Sequence, residues 1–327
     1  MNYLITGGAG FIGSHLAEKL REGNHRVLIL DDLSTGRYEN IEPIDDSQDC
    51  RLIVANVTNR RIVEECVKEA DIVFHLASAV GVRKIIQEPV RTIESIVRGT
   101  DTVLEACACY RRPVLLTSTS EVYGRKTDIP FSEDDDCVMG ATSKRRWSYA
   151  CSKALDEFLA LAYWYESRLP VYIVRLFNTV GPRQTGQYGM VVPTFVRQAL
   201  RGEPITVYGD GEQSRCFGHV KDVVEGLAKI VHCSNARGQV VNLGTNEEVT
   251  ILQLANRVKH LTGSDAEIRF VPYEEAYGAG FDDMRRRVPA LTKAHDLIGY
   301  KPSHDLDSIL SDVIAYERAR ETLASTV

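Results

Sequence analysis

The stretch Tyr3-Leu4-Ile5-Thr6-Gly7-Gly8-Ala9-Gly10-Phe11-Ile12-Gly13 decides how the rest of the chain is read. A short apolar run enters a glycine cluster at the spacing Gly7-x-x-Gly10-x-x-Gly13, and the periodicity then becomes helical over Ile12–Glu22. A strand that turns through glycines into a helix presents free backbone N–H groups to an anion. Glycine meets three needs in such a turn: tight reversal, close approach of backbone to a pyrophosphate, and packing of helix on strand. The glycines alone carry little; the strand before them and the helix after them make the pattern specific for a dinucleotide.

Working outward, apolar runs at Tyr3–Thr6, Val27–Leu30, Leu52–Val54, Ile72–His75, Val114–Thr117 and Val171–Leu176 predict strands buried on both faces. Helical periodicity fills the gaps at Arg60–Glu69, Val90–Cys109 and Ser148–Arg168. Such alternation is the mark of parallel βαβ units. After Asn178 the chain is turn-rich, then gives a helix at Met190–Arg201, a strand at Ile205–Tyr208, a helix at Asp222–Val231, a strand at Val240–Leu243 and a closing helix near Leu306–Arg320. The expected fold is α/β: a Rossmann doubly wound parallel sheet with a smaller, discontinuous α/β substrate domain. Residues 1–178 with 218–245 are expected to form the first, and 179–217 with 246–327 the second.

Composition narrows the function. A chain of 327 residues with 44% apolar and 26% charged side chains is globular, and its net charge of −6 speaks against a nucleic-acid partner. The scattered cysteines form no Cys-x-x-Cys, so neither a metal site nor a disulfide framework is expected. No leader-like start and no long apolar run occurs, which predicts a cytoplasmic protein without a membrane partner. The basic run Lys144-Arg145-Arg146 reads as solvated surface; Arg285-Arg286-Arg287 reads equally as a solvated turn or an anion site.

Asp31 and Asp32 follow the second strand, about twenty residues beyond the glycines, where a carboxylate accepts from ribose hydroxyls and repels a 2′-phosphate. That favours NAD, although Arg37 lies close enough in sequence to receive such a phosphate. Further on, Tyr149-Ala150-Cys151-Ser152-Lys153 puts a phenol and an ammonium on one helical face. The lysine is expected to lower the phenol's pKa, so that Tyr149 serves as general base on a hydroxyl during hydride transfer.

These motifs resemble the extended short-chain dehydrogenase/reductase family, in its nucleotide-sugar epimerase, dehydratase and decarboxylase branch. The resemblance runs over nearly the whole chain. It is carried by Thr6–Gly13, Phe74-His75-Leu76-Ala77, Leu116–Gly124, Tyr149 with Lys153, Arg175–Pro182 and Val207–Arg215. It implies NAD contacts at Gly7, Gly10, Phe11, Ile12 and Gly13, then at Asp31, Asp32, Asn56, Val57, Leu76, Ala77 and Lys153. It also implies that Thr119 hydrogen-bonds the reacting hydroxyl, with nucleotide-sugar contacts at Asn178, Val192, Tyr208 and Arg215. The chain departs from the family pattern at Ile96, where an asparagine is usual, and at Asn56, where an aspartate is usual.

Members of this branch begin by oxidising the sugar C4 hydroxyl. Thr119-Ser120-Glu121 puts an acidic side chain beside the resulting ketone, which suggests proton traffic at C5. The triplet most resembles the enzymes that decarboxylate UDP-glucuronate to UDP-xylose, and Arg287 aligns with their arginine. A UDP-sugar 4-epimerase is the second reading and a 4,6-dehydratase, with Ser120 in the place of its usual aspartate, the third. An NAD-binding regulator without chemistry is a fourth, opposed by the intact Thr119, Tyr149 and Lys153. The helix beginning near Tyr149 is apolar around most of its circumference, which predicts a homodimer.

Overall fold

The computed structural model describes residues 1–45, 48–78, 88–186, 190–277 and 284–325. The strands are β1 (Asn2–Thr6), β2 (Arg26–Asp31), β3 (Cys50–Val54), β4 (Ile72–His75), β5 (Val114–Thr119), β6 (Val171–Leu176), β7 (Thr179–Val180), β8 (Ile205–Tyr208), β9 (Ser214–Cys216), β10 (Gly218–His219), β11 (Gln239–Leu243), β12 (Glu248–Thr250) and β13 (Ile268–Val271). The helices are α1 (Phe11–Glu22), α2 (Arg60–Glu69), α3 (Pro89–Tyr110), α4 (Trp147–Ser167), α5 (Val191–Leu200), α6 (Val220–Ile230), α7 (Ile251–Thr262), α8 (Tyr273–Tyr277), α9 (Thr292–Ile298) and α10 (Leu306–Ser325).

Seven strands form one sheet in the order β11-β6-β5-β4-β1-β2-β3, with every pairing parallel. Neighbouring residues of a strand point to opposite faces, and the burial follows that alternation. Tyr3 and Ile5 join a core with Phe74, Tyr172 and Val174 under α1 and α6. Leu4 joins the opposite core with Val73, Leu116 and Ile173 under α2, α3 and α4. A sheet covered on both faces needs such continuously apolar strands, which is why they were visible in the sequence.

A third apolar cluster brings Phe195 of α5, Val207 of β8, Leu254 of α7 and Ile309 of α10 together. Around it lie three two-stranded pairings: β7 with β10, β9 with β12, and β8 with β13. Helix α7 starts at a capping box, in which Thr250 and Gln253 satisfy each other's backbone N–H groups.

β5 runs on to Thr119, two residues past the apolar run, because Ser118 and Thr119 continue the register against Arg175 and Leu176 of β6. That extension carries Thr119 to the strand end. The sheet's strand order reverses at β1, whose neighbours are β2 and β4. A crevice opens there at the carboxyl ends of the strands, the usual ligand position in such sheets.

At the reversal, Gly7 has φ +72°, and a Cβ on it would lie 2.8 Å from the Ala77 nitrogen. A methyl on Gly13 would overlap the Gly7 carbonyl oxygen. Both positions therefore require glycine for the loop to keep its shape. Replacing Gly13 with Ala is expected to cost about 1–3 kcal/mol of stability through overpacking. It should also weaken NAD binding on the order of tenfold or more, because the anion-facing turn must open. Thermal unfolding and NAD titration check this; an unchanged NAD affinity would contradict it.

Candidate active site

Every site residue expected from the sequence lines one cleft of about 840 Å³ along the carboxyl ends of the strands. The glycine loop forms its floor on one side, and Gly10 N–H is turned back onto the Gly7 carbonyl at 3.1 Å. From β4, the Leu76 N–H donates to the Thr6 carbonyl at 3.1 Å and the Ala77 N–H to Thr6 Oγ1 at 3.3 Å. These bonds bring Leu76 and Ala77 against the glycines. His75, buried behind them, bonds Thr6 Oγ1 at 2.7 Å and Thr100 Oγ1 at 3.2 Å, and burial pushes its pKa down to about 3.

The two aspartates after β2 do different work. Asp31 is buried and accepts from the N–H groups of Ala9 at 3.0 Å and Leu33 at 2.8 Å, so it braces the glycine loop from behind. Asp32 is exposed at the cleft, where it accepts from Asn56 Nδ2 at 2.7 Å and Ser34 N–H at 2.9 Å. Asn56, at the position where an aspartate is usual, thus donates to Asp32 instead of repelling it. Val57 is buried, and a Cβ on Gly99 of α3 would lie 2.8 Å from its Cγ2. A glycine surface without side chains, leading into the N-terminus of α1, and an exposed carboxylate at the second strand together fit NAD.

Thr119 ends β5, and its Oγ1 accepts from the Glu121 N–H at 3.2 Å, starting the 3-10 turn Ser120–Tyr123. Ser120 is buried in that turn. Tyr149 and Lys153 stand one turn apart at the start of α4, and Tyr149 hydrogen-bonds with Thr119. The strand end is braced from below. Arg175 donates to Glu157 at 2.8 and 3.0 Å and to the Glu133 carbonyl at 3.2 Å, while Ser118 donates to Glu157.

Two electrostatic expectations are corrected here. The Tyr149 phenol is held above its ordinary range and not below it, and the Lys153 Nζ is 3.0 Å from Asp156 Oδ2, in a pair that is almost wholly buried. Burial instead pushes the phenol up, the Glu121 carboxylate adds to that, and the Thr119 hydrogen bond opposes it. The run Lys144-Arg145-Arg146 is also not uniformly solvated. Lys144 and Arg145 are exposed, whereas Arg146 is 7% exposed.

Arg146 Nη2 lies 3.1 Å from Glu121 Oε2, and Arg287 Nη1 lies 2.5 Å from Glu121 Oε1. One carboxylate therefore sits between two buried guanidiniums. The Arg285–Arg287 run divides in the same manner: Arg285 is on the surface, Arg286 pairs with Glu248, and only Arg287 enters the cleft. Three backbone bonds aim it there. Ser214 N–H donates to the Arg285 carbonyl at 2.9 Å, Phe131 N–H to Val288 at 2.7 Å, and Ala290 N–H to Phe131 at 2.8 Å.

Beyond Glu121 lie the remaining expected residues. The Asn178 carbonyl accepts from Gly218 N–H at 2.9 Å, and Arg215 Nη1 donates to the Ser214 carbonyl at 2.7 Å and to the Arg285 carbonyl at 3.3 Å. Val192 is buried and belongs to the third apolar cluster as well as to the cleft wall, while Tyr208 ends β8. Sequence reasoning missed Arg146 and Asp156. Both stood three residues from a recognised member, Arg146 from Tyr149 and Asp156 from Lys153, and that helical spacing was the available signal.

The family model described as GDP-mannose 4,6 dehydratase matches residues 4–313. A UDP-N-acetyl-alpha-D-glucosaminuronate decarboxylase of Bacillus cytotoxicus is 40% identical, over 97% of this chain and 98% of that one. UDP-glucuronic acid decarboxylase 1 of Xenopus tropicalis is 38% identical, over 96% of this chain and 72% of that one. Among solved structures, a UDP-glucuronic acid 4-epimerase from Bacillus cereus, in complex with UDP-glucuronic acid and NAD, superposes with a TM-score of 0.88. It is 26% identical, and the match covers 98% of this chain and all of that one. The chain belongs to the GDP-mannose 4,6-dehydratase-like extended short-chain dehydrogenase/reductase family of NAD-dependent, nucleotide-sugar-modifying enzymes.

Proposed function

We propose that the enzyme decarboxylates a UDP-linked uronic acid through a transient 4-ketone, UDP-glucuronate giving UDP-xylose. The observation that carries this reading is Glu121 between Arg146 and Arg287, close to Tyr149. Two guanidiniums meet beside the catalytic tyrosine in a largely buried place, and a guanidinium fork matches a carboxylate such as that of an acidic sugar, which a hydroxymethyl group would not offer. The decarboxylases at 40% and 38% identity support it. The 4-epimerase reading draws on the superposed epimerase, whose scaffold is the same.

In this reading residues 1–178 with 218–245 bind NAD, and residues 179–217 with 246–327 bind the nucleotide sugar. Gly7, Gly10, Phe11, Ile12 and Gly13 face the cofactor's diphosphate, and Asp32 with Asp31 behind it faces the adenosine ribose. Asn56, Val57, Leu76 and Ala77 border it, and Lys153 holds the nicotinamide ribose. Asn178, Val192, Tyr208 and Arg215 bind the nucleotide diphosphate, leaving Arg287 for the sugar carboxylate.

Tyr149 Oη takes the proton of the C4 hydroxyl while Thr119 hydrogen-bonds the same oxygen. NAD, when bound, supplies the hydride acceptor for C4 and returns the hydride at the end. With a ketone at C4, the carboxylate is β to a carbonyl. The C5–C6 bond breaks, its electron pair passes into the enolate, and carbon dioxide leaves. The protonated Tyr149 stabilises the enolate oxygen, Ser120 and Glu121 face C5, and C5 takes up one proton from solvent that the Glu121 carboxylate relays.

Mass spectrometry after incubation with UDP-glucuronate tests this directly. Carbon dioxide and a UDP-pentose are expected; UDP-galacturonate without carbon dioxide would overturn the decarboxylase in favour of the epimerase. UDP-N-acetylglucosaminuronate belongs in the same panel, because the 40% identical relative is a decarboxylase of that sugar. Tyr149→Phe should slow turnover by roughly two to four orders of magnitude, with NAD binding unchanged. A nearly active Tyr149→Phe would contradict the assignment of the base.

We further propose a homodimer through α3 and α4, which pack along each other. Val90, Leu155, Phe158 and Tyr165 are all exposed there, Phe158 at 70%, in an apolar patch of the kind that marks an interface. All eight cysteines are free, which suits the reducing cytoplasm, the location we propose. Phe158→Glu should shift sedimentation at micromolar concentration from dimer toward monomer; a parent enzyme that is already monomeric would contradict the interface.

A further inference from the structure

Arg146 occupies a position that none of the expected roles explains. It is the residue before α4, one helical turn ahead of Tyr149, yet its side chain is turned inward and 5% exposed. Its Nη2 approaches both oxygens of Glu121, Oε2 at 3.1 Å and Oε1 at 3.5 Å, and its guanidinium lies 5.4 Å from the Trp147 ring centroid. The contact ties the catalytic helix to the 3-10 turn that follows Thr119. Arg287, by contrast, reaches Glu121 from the segment pinned between Ser214 and Phe131.

We propose that Arg146 is a positioning residue, which fixes the Glu121 carboxylate and offsets its charge beside Tyr149. The proposal rests on the reading of Tyr149 as the base and Glu121 as the acidic partner. The physical need is plain. A carboxylate near a phenol opposes the phenolate, and Glu121 raises the Tyr149 pKa in this way. Among the described residues, the groups facing Tyr149 are Glu121 and Thr119 from the β5 end, Ser78 beyond β4, and Lys153 and Asp156 from its own helix. Since Lys153 is committed to Asp156, the guanidiniums on Glu121 are the countercharge on that side.

A double-mutant cycle on the NAD-loaded enzyme with UDP-glucuronate as substrate tests this, with product of any kind counted. Arg146→Met should lower kcat by roughly ten- to a hundredfold while KM moves by less than about threefold, as misplacement of a reacting partner does. The acid limb of the kcat/KM profile should move to higher pH by roughly half a unit or more, because an uncompensated Glu121 favours the neutral phenol. In a Glu121→Gln background the same substitution should change kcat by less than about threefold, since a residue acting through Glu121 loses its effect with it. Arg146→Lys, which keeps the charge and loses the fork, should recover part of the rate and carries the measurement if the Met variant does not fold.

Effects that multiply across the cycle, an unshifted acid limb, or a change confined to KM would overturn the inference. If the parent forms the C4 epimer without carbon dioxide, the decarboxylase reading fails, and the cycle still reads the role of Arg146. If only UDP-N-acetylglucosaminuronate is turned over, the cycle is read on that sugar, and a parent that turns over neither uronic acid overturns both.

Discussion

Parallel pairing of β1 with β2 on one side and β4 on the other is the constraint on which the molecule depends. Chain leaving β1 goes to one face of the sheet and chain leaving β4 to the other, so the strand ends cannot be covered at that point. The glycine loop and Leu76-Ala77 meet across the opening within hydrogen-bond reach. Both apolar cores are built from alternate residues of the same strands, so the opening's shape is set by the packing of the whole sheet. One strand pair further along, β5 and β6 deliver Thr119 and the Arg175–Glu157 brace to the same end of the sheet.

The chemistry proposed for the cleft depends on how its charges are distributed. Lys153 is held by Asp156 at the base of α4, Asp31 by backbone N–H groups, and Glu121 by two arginines. Each buried charge thus has a partner of opposite sign or a set of donors, as burial demands. A 4-epimerase needs only the Thr119–Tyr149–Lys153 arrangement. The extra carboxylate with its two guanidiniums is what separates the proposed decarboxylase from that simpler site.

Much of this was legible in the sequence because the sheet is buried on both faces. Ile72–His75, Val171–Leu176, Arg60–Glu69 and Ile205–Tyr208 have the bounds that their apolar runs predict. The two-residue strands β7 and β10 are too short for any periodicity to reveal, and β9 and β12 pair only because Arg215 and Val249 meet across the fold. The site was legible as residues and not as charges. Neighbours such as Asp31 and Asp32 look equivalent in sequence, although a strand end turns one inward and the other to the cleft. Arg146 sits in a basic run that reads as solvated and Arg287 in one that reads equally as a turn or an anion site, and both are buried where Glu121 meets them from a distant turn.

The central claim is that oxidation at C4 and loss of carbon dioxide are served by different groups, with Glu121 acting after the ketone has formed. Rapid mixing of the NAD-loaded enzyme with UDP-glucuronate, followed by the near-ultraviolet absorbance of reduced nicotinamide, tests it most directly. In the parent that absorbance should rise and decay within one turnover. In Glu121→Gln it should rise at a similar rate and persist, because the ketone forms and the later proton step is slow. A variant whose absorbance rises and decays like the parent's, or never rises at all, would contradict the separation of roles.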